Sequence, residues 1–407
     1  MAEEMFTRLL PVLQHAYQHA PAVRDIFLSA GVAPQDLHSL SDLDRIPITS
    51  KDRLVRLQSE APPFGGFLAV PAEELQHVFF SPGPIYEPHA AESALMDTVY
   101  DILKIAEIGN GDIALNAFSY HLIPSGIALD ECLRKLGAAV IPGGVGNADL
   151  QVKMMYDLRA TVYLGTPSWL MALIKKAEES GFNFRQQFAL RKALVSAEPL
   201  PPSLRQVLVE QYGLTVTNAY GTAELGFLAY NQEGGLAMRL LESSVVQVAN
   251  PETGQTVPAG ETGEVVVTSY NTTFPLIRLG TGDLAVNLDP RPGDSQQGER
   301  AIILVGRVGE AVKVRGMFVH PNQLRFAIAQ AGGVAGFQAV VTREGHRDTL
   351  TLRVVSADPA ADTQALSETL SAAVRSACRM SVDHFVYLEA GQIKPESAVI
   401  KDERTWE

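Results

Sequence analysis

The sequence predicts an α/β protein with a large N-terminal domain and a small one. The large domain combines mostly parallel sheet flanked by helices with a β-rich part, and a small α/β domain closes the chain. Three observations carry this prediction. Between about residues 90 and 220, short apolar runs alternate with stretches of helical periodicity, the pattern of a parallel sheet covered on both faces. From about 240 to 320 the runs acquire a period of two and are separated by Gly- and Pro-rich turns, which reads as antiparallel sheet. The last hundred residues return to mixed strands and helices, and a boundary near Gly309 divides the chain into domains 1–308 and 309–407.

The elements follow in order. Leu95, Val99, Ile102, Leu103 and Ala106 share one helical face, and Gly109 supplies a stop. Strand "DIALNAF", helix "GIALDECLRKLG", strand "AAVIPGG", helix "DLQVKMMYDLR" and strand "ATVYLGT" come next. Helix "SWLMALIKKAEESG", strand "KALVSAEP", helix "PPSLRQVLVEQYG" and strand "LTVTNAYG" complete the alternation. "SVVQVA" and "GEVVVTSY" flank the turn-rich "NPETGQTVPAGETG". The C-terminal unit reads "EAVKVRGMFVH", helix "PNQLRFAIAQAGG", strands "FQAVVTRE" and "DTLTLRVVSA", helix "TQALSETLSAAVRSACR" and strand "DHFVYLEA". Ligands in parallel sheets of this kind bind where strands end.

Composition excludes several functions. A net charge of −13 with no basic run disfavours nucleic acid. Cys132 and Cys378 stand far apart, so neither a disulfide framework nor a cysteine-rich metal site can be built, and a reducing compartment is expected. The N-terminal stretch starts acidic and turns amphipathic, and no apolar run approaches the roughly 20 residues of a spanning helix. The expectation is a cytoplasmic protein with no membrane partner.

Two stretches bear on chemistry. In "NAYGTAELGF", Tyr220 and Gly221 follow a strand and Glu224 comes three residues later. An aromatic can cover a purine, glycine lets backbone approach a ligand, and a carboxylate can hold a metal beside phosphates; the plainer alternative is a strand end with an ordinary helix-start glutamate. In "LIRLGTGDLA", Asp283 follows a Thr-Gly turn and can accept from two ribose hydroxyls, or simply cap its turn.

Taken in order, "SAEP", "YGTAE", "TGD" and "GRVGEAVKVRG" resemble the signature blocks of the acyl-adenylate-forming superfamily of acyl-CoA synthetases, peptide-synthetase adenylation domains and luciferases. The phenylacetate-CoA ligase branch is the nearest likeness, because the stretch "HAYQHAPAVRDIFLSAGVAPQDLHSLSDLDRIPITSKDRL", "FGGFLAVPAEELQHVF" and "GTPSWL" also look like it. The resemblance covers nearly the whole chain. It implies an acid activated by ATP as an acyl-adenylate, rotation of the small, mobile domain about a hinge near Gly309, and transfer to CoA. Ser81, Gly83, Ala197, Glu198, Pro199, Tyr220, Gly221, Thr222, Asp283 and Arg307 would bind nucleotide, with Tyr220 on adenine, Asp283 on ribose and Arg307 on ribose or phosphate. Glu224 would hold Mg²⁺. Lys313, Arg315 and Gly316 would face CoA. Phe118, Tyr120, His121 and Gly126 would line the acyl pocket, whose aromatics suit an aryl acid. His121 would orient a carboxylate or assist thioester formation, the alternative being a structural histidine.

Departures from the family pattern qualify the chemistry. "HVFFSPGPIYEP" has the outline of a glycine-rich phosphate loop between a strand and a helix. The family reads approximately Ser-Ser-Gly-Thr-Thr-Gly-Lys-Pro over residues 81–88, whereas here only Ser81, Gly83 and Pro88 remain. Pro82 and Pro84 remove N–H donors, and Glu87 sets a negative charge where polyphosphate would lie. The branch's C-terminal Gly-Lys pair is missing, which leaves Lys394 and Lys401 as candidates for the adenylation lysine. The segment between "TGD" and "GR" has no cysteines, so no structural zinc is expected. Three readings follow: an ATP-dependent acid–CoA ligase, an ATP-independent acyltransferase between CoA and a thiol such as that of an acyl carrier protein, and a non-catalytic relative that binds nucleotide or acyl-CoA.

Overall fold

The computed structural model describes residues 2–404 apart from 82, 92, 93, 296–298, 308–311, 316, 320, 346, 379, 395 and 396. The chain divides into two compact units, Met1–Val308 and Gly309–Glu407; Gly309 itself lies outside the described residues.

The first unit opens with α1 (Ala2–His19) and α2 (Pro21–Ser29), then β1 (Thr49–Ser50), α3 (Lys51–Glu60), β2 (Leu75–Ser81) and β3 (Ile85–Ala90). The alternating region follows as α4 (Ala94–Ile105), β4 (Ile113–Asn116), α5 (Ser125–Lys135), β5 (Ala139–Ile141), α6 (Ala148–Asp157), β6 (Val162–Gly165), α7 (Pro167–Glu179), α8 (Phe184–Gln187), β7 (Lys192–Val195), α9 (Pro202–Gln206) and β8 (Thr215–Thr222). The helix expected over "PPSLRQVLVEQYG" is α9 continued by a π-helical turn over Val207–Gln211. The β-rich part is β9 (Gly226–Asn231), β10 (Met238–Leu240), β11 (Ser244–Ala249), β12 (Thr262–Ser269), β13 (Leu279–Asn287) and β14 (Ala301–Arg307).

One twelve-stranded sheet joins both parts, in the order β11-β12-β13-β14-β10-β9-β8-β7-β6-β4-β5 with β1 beside β13. Strands β5, β4, β6, β7 and β8 are parallel, and the antiparallel half begins at the β8–β9 pair. Alternation along the parallel strands explains the two helical layers. Val162, Leu164 and Leu194 join the core under α4 and α5, while Tyr163, Ala193 and Val195 join the core under α6, α7 and α9. Tyr220 of β8 nevertheless hydrogen-bonds Asp283 of β13, although four strand steps of about 4.8 Å separate them in sheet order. The antiparallel half therefore curls back over the end of β8, and that curl brings together motifs sixty residues apart.

The segment read as a phosphate loop differs from expectation. Instead of running from strand to loop to helix, it forms a hairpin in which Ser81 pairs with Ile85, Phe80 with Tyr86 and Phe79 with Glu87. Cross-strand rings account for the second strand: Phe80 and Tyr86 lie 4.8 Å apart, and Phe79 and His89 lie 5.0 Å apart. Buried Gln58 of α3 adds a pair of backbone-like bonds, donating to the Tyr86 carbonyl and accepting from its N–H, both at 2.8 Å.

The second unit contains β15 (Val312–Val314), β16 (Met317–Val319), α10 (Pro321–Ala331), β17 (Val334–Glu344), β18 (Arg347–Ser356), α11 (Thr363–Cys378), β19 (His384–Tyr387) and β20 (Ile400–Asp402). Its four-stranded sheet runs β19-β18-β17-β20, with α10 and α11 sharing a core with it. Among the described residues no helix is long and apolar enough to cross a membrane.

Candidate functional site

The predicted motifs of the first unit gather where the parallel strands end. After β7 the chain turns through Ala197, which adopts a positive φ of 74°, a conformation costing a non-glycine residue about 1 kcal/mol or more. Beside it Glu198 accepts a 2.6 Å hydrogen bond from the Ser168 N–H in the first turn of α7, where an anion is favoured. Pro199 is exposed just beyond.

At the end of β8, the Tyr220 hydroxyl donates to Asp283 at 2.8 Å. Burial, with the Asp283 charge beside it, pushes the phenol well above its ordinary pKa, so it remains a donor. Arg307 completes the arrangement through Nε, 3.0 Å from the other carboxylate oxygen. Asp283 is thus fixed by two donors, and each oxygen retains a lone pair for another hydroxyl. Its N–H donates to Thr281 at 3.1 Å, and the adjacent Gly282 N–H donates to buried Glu264 at 2.9 Å. Gly221 has no room for a side chain, since a Cβ there would sit 2.3 Å from the Gly226 carbonyl oxygen.

Glu224 has a partner that the sequence reading missed. The Lys51 ammonium lies 2.9 Å from both of its carboxylate oxygens. The Glu224 side chain is 3% exposed and that of Lys51 22%. Burial opposes ionisation of Glu224, yet Lys51 outweighs it, with smaller help from the glutamate's own backbone N–H, and the pKa is lowered. Lys51 is the first residue of α3, an end where the helix dipole disfavours a cation. The parallel pairing of Ser50 with Gly280 and the Ser50 cap on the Arg53 N–H hold it there.

Glu87, expected to set a negative charge where polyphosphate would lie, is 1% exposed on β3. Burial first, then the neighbouring Glu224 charge, push its pKa up to about 8, against weaker opposition from Ser81 and Lys51. The folded site therefore favours the protonated form of Glu87, and its effect is not a simple charge reversal. Ser81 is buried behind it, with its hydroxyl 3.5 Å from the Ile85 carbonyl; Gly83 lies in the hairpin turn.

The expected acyl-pocket residues follow β4. Phe118 packs beside the core under α4 and α5. The Tyr120 hydroxyl donates to Asp130 at 3.0 Å and accepts from Asn116 at 2.9 Å, so its polar end is engaged within the scaffold. Gly126 lets α5 close on this turn, because a Cβ there would meet the Ser119 carbonyl oxygen at 2.4 Å. His121 is exposed, its backbone tied to the Ser119 hydroxyl. The Phe80 N–H donates to the Leu122 carbonyl at 2.6 Å and brings β2 against this turn.

In the second unit, Arg315 is clamped internally. Its guanidinium lies 3.0 Å from Asp383 and donates to the Ser381 carbonyl at 2.6 Å, while its backbone has a positive φ of 50°. Those bonds compete with the expected contact to CoA phosphates. Gly316 and the side chain of Lys313 lie outside the described residues. Lys401 sits on β20 and pairs with Glu403 at 2.6 Å; Lys394 is exposed.

A Mg²⁺ ion at Glu224 does not fit this arrangement. Both oxygens face the Lys51 ammonium, and a divalent ion about 4 Å from that charge would meet a repulsion of about 8 kcal/mol at an effective dielectric of 20. Among the described residues no group of three or more His, Cys, Asp or Glu side chains is placed to hold a metal.

Comparison with known proteins places this geometry in a family. The sequence profile described as "AMP-binding enzyme" matches residues 93–274. The phenylacetate-coenzyme A ligase of Thermus thermophilus is 30% identical over 364 residues, covering 86% of this chain and 80% of that protein. That of Aromatoleum evansii is 28% identical over 365 residues, covering 85% and 80%. The crystal structure of 2-hydroxyisobutyryl-CoA ligase in complex with 2-HIB-AMP and CoA in the thioesterification state superposes with a TM-score of 0.89 at 26% identity, over 99% of this chain and 90% of that one. A shared α/β architecture and this extent of identity lead to one assignment: the chain belongs to the phenylacetate-CoA ligase branch of the AMP-binding, acyl-adenylate-forming enzymes.

Proposed function

We propose that the chain is an acid–CoA ligase, acting through an acyl-adenylate, in which the part of the site that holds the adenylate is kept and the part that would hold polyphosphate is altered. The observation that carries this reading is the convergence of the Tyr220 hydroxyl and Arg307 guanidinium on Asp283 at the end of the parallel sheet. A carboxylate held from two sides is pre-oriented for vicinal ribose hydroxyls, which lowers the ordering cost of binding a nucleoside. The Tyr220 ring, fixed by its hydroxyl, offers an aromatic face for adenine. Phe118 and Tyr120 support an aryl carboxylic acid as the substrate class, and His121 is the group on that turn exposed for a carboxylate. In this reading Met1–Val308 binds the adenylate, and Gly309–Glu407 swivels about Gly309 to bring Lys313, Arg315 and Gly316 toward CoA, with Lys401 on the adenylating face.

The β2–β3 hairpin favours a second reading, an acyltransferase that moves an acyl group between CoA and another thiol without ATP. Tight pairing from Ser81 and Ile85 outward replaces the open backbone N–H groups that a polyphosphate-wrapping loop presents. Acid-dependent exchange of labelled pyrophosphate into ATP separates the readings. Across a panel of aryl and alkyl acids, exchange by the unmodified chain supports the ligase. No exchange, together with ATP-free transfer of a labelled acyl group from CoA to an acceptor thiol, supports the acyltransferase. Neither activity, with AMP still bound, leaves the non-catalytic relative.

A further inference from the structure

We propose that Lys51 is the built-in cation of this nucleotide site, its ammonium taking the place of a divalent ion at Glu224, so that the site neither needs nor admits a metal there. The inference rests on the nucleotide-binding reading above and extends it to the cation.

Lys51 contacts both Glu224 oxygens at 2.9 Å, and two structural devices keep it in place. The backbone pairing of β1 with β13 fixes the start of α3 against the strand that carries Asp283, and Ser50 caps the helix one residue before the lysine. Two further carboxyls lie within the field of this cation. Glu264 on β12 accepts the Gly282 N–H, and Glu87 on β3 is almost fully buried with neither carboxyl oxygen hydrogen-bonded. Both carboxyls feel the Lys51 charge. Lys51 thus contacts Glu224 directly, with Glu87 of β3 and Glu264 of β12 farther off in its field. A single-charge donor held at the start of a helix can perform the electrostatic task of neutralising anionic ligand oxygens beside Glu224, its ammonium lying against both carboxylate oxygens on the side a divalent ion would take.

Manganese(II) alone is the probe, followed by the loss of its free-ion electron paramagnetic resonance signal on titration into the full-length chain. The unmodified chain and Glu224→Gln should leave the signal equally unchanged at millimolar metal. Lys51→Met should create one binding site with a dissociation constant of about 10⁻³ M or tighter, and Lys51→Met combined with Glu224→Gln should abolish it. One Mn²⁺ bound by the unmodified chain and lost in Glu224→Gln would overturn the proposal. If Lys51→Met does not fold, the unmodified chain and Glu224→Gln still decide it. A calorimetric titration of AMP, with excess Mg²⁺ or with EDTA, separates this from the nucleotide reading. AMP affinity that is independent of Mg²⁺ supports the fixed cation, and affinity raised by Mg²⁺ in the unmodified chain but not in Glu224→Gln contradicts it. Complete absence of AMP binding removes the nucleotide reading while the Mn²⁺ result still stands.

Discussion

Replacing Glu87 by glutamine tests the electrostatics of the altered loop quantitatively. The carboxyl is 1% exposed, and burial together with the Glu224 charge raises its pKa from the ordinary 4.5 to about 8. The groups facing it are Lys51 from α3, Glu224 after β8 and Ser81 from β2. A raised folded-state pKa means that the folded chain holds a proton that the unfolded chain releases. Glu87 therefore contributes stability that is complete below about pH 4.5 and lost as the pH rises through about 8. Linkage gives a loss of about 4 kcal/mol between about pH 4.5 and pH 8. Glutamine copies the neutral acid's size and cannot ionise, so the Glu87→Gln chain should lack this loss and be the more stable protein at about pH 8 by a similar amount. Urea unfolding at a series of pH values, with the slope unchanged, measures the difference. Parallel stability profiles for the two proteins would refute the reasoning, since they would mean that Glu87 is ionised and solvated in the folded state.

Three further outcomes are expected. His89, held neutral mainly by burial with His77 adding to it, has its pKa lowered to about 4; its contribution is present above about 6.5 and lost as the pH falls through about 4, so His89→Gln should flatten the acid limb of the stability profile by about 3 kcal/mol. Arg315→Ala should lower the stability of the Gly309–Glu407 unit by about 2 kcal/mol, because it removes the nearer of the two arginines paired with Asp383 and the donor to the Ser381 carbonyl; faster hydrogen exchange in β15, β18 and β19 checks this, and unchanged exchange would mean that these bonds add nothing to stability. Gly126→Ala should cost about 2 kcal/mol by driving α5 away from Ser119, read as a fall in thermal midpoint, and a neutral result would mean the turn is loosely packed.

The fold was legible where burial on both faces writes itself into the chain. Strands such as Val162–Gly165 and Lys192–Val195 are short, continuous apolar runs, and no other element suits them. The curl that joins Tyr220 to Asp283 was not visible, although both residues were, because it depends on the accumulated twist and register of four strand pairs. Ile85–Ala90 escaped as a strand because Gly83 and Pro84 punctuate it and Pro88 lies inside it, while the pairings that stabilise it are cross-strand contacts of aromatic rings. Glu87 shows the same limit at one residue: its type was readable, but its inward direction and protonation were not. Lys51 stood in a stretch that matched the family and gave one local signal, a cation at a helix start. Its partner lies 173 positions away. Arg315 reads as facing CoA, and its pairing with Asp383, 68 positions on, cannot be assigned from sequence.

The central claim is that the adenylate-holding half of the site is intact, so the most direct measurement bypasses ATP. A preformed aryl acyl-adenylate and CoA are supplied to the full-length chain, and thioester formation and AMP release are followed in a single turnover. The account predicts one thioester and one AMP per active chain, with Asp283→Asn slowed by about tenfold or more through loss of its charge-assisted hydrogen bonds. Adenylate left unconsumed by the folded, unmodified chain, or turnover unaffected by Asp283→Asn, would contradict it.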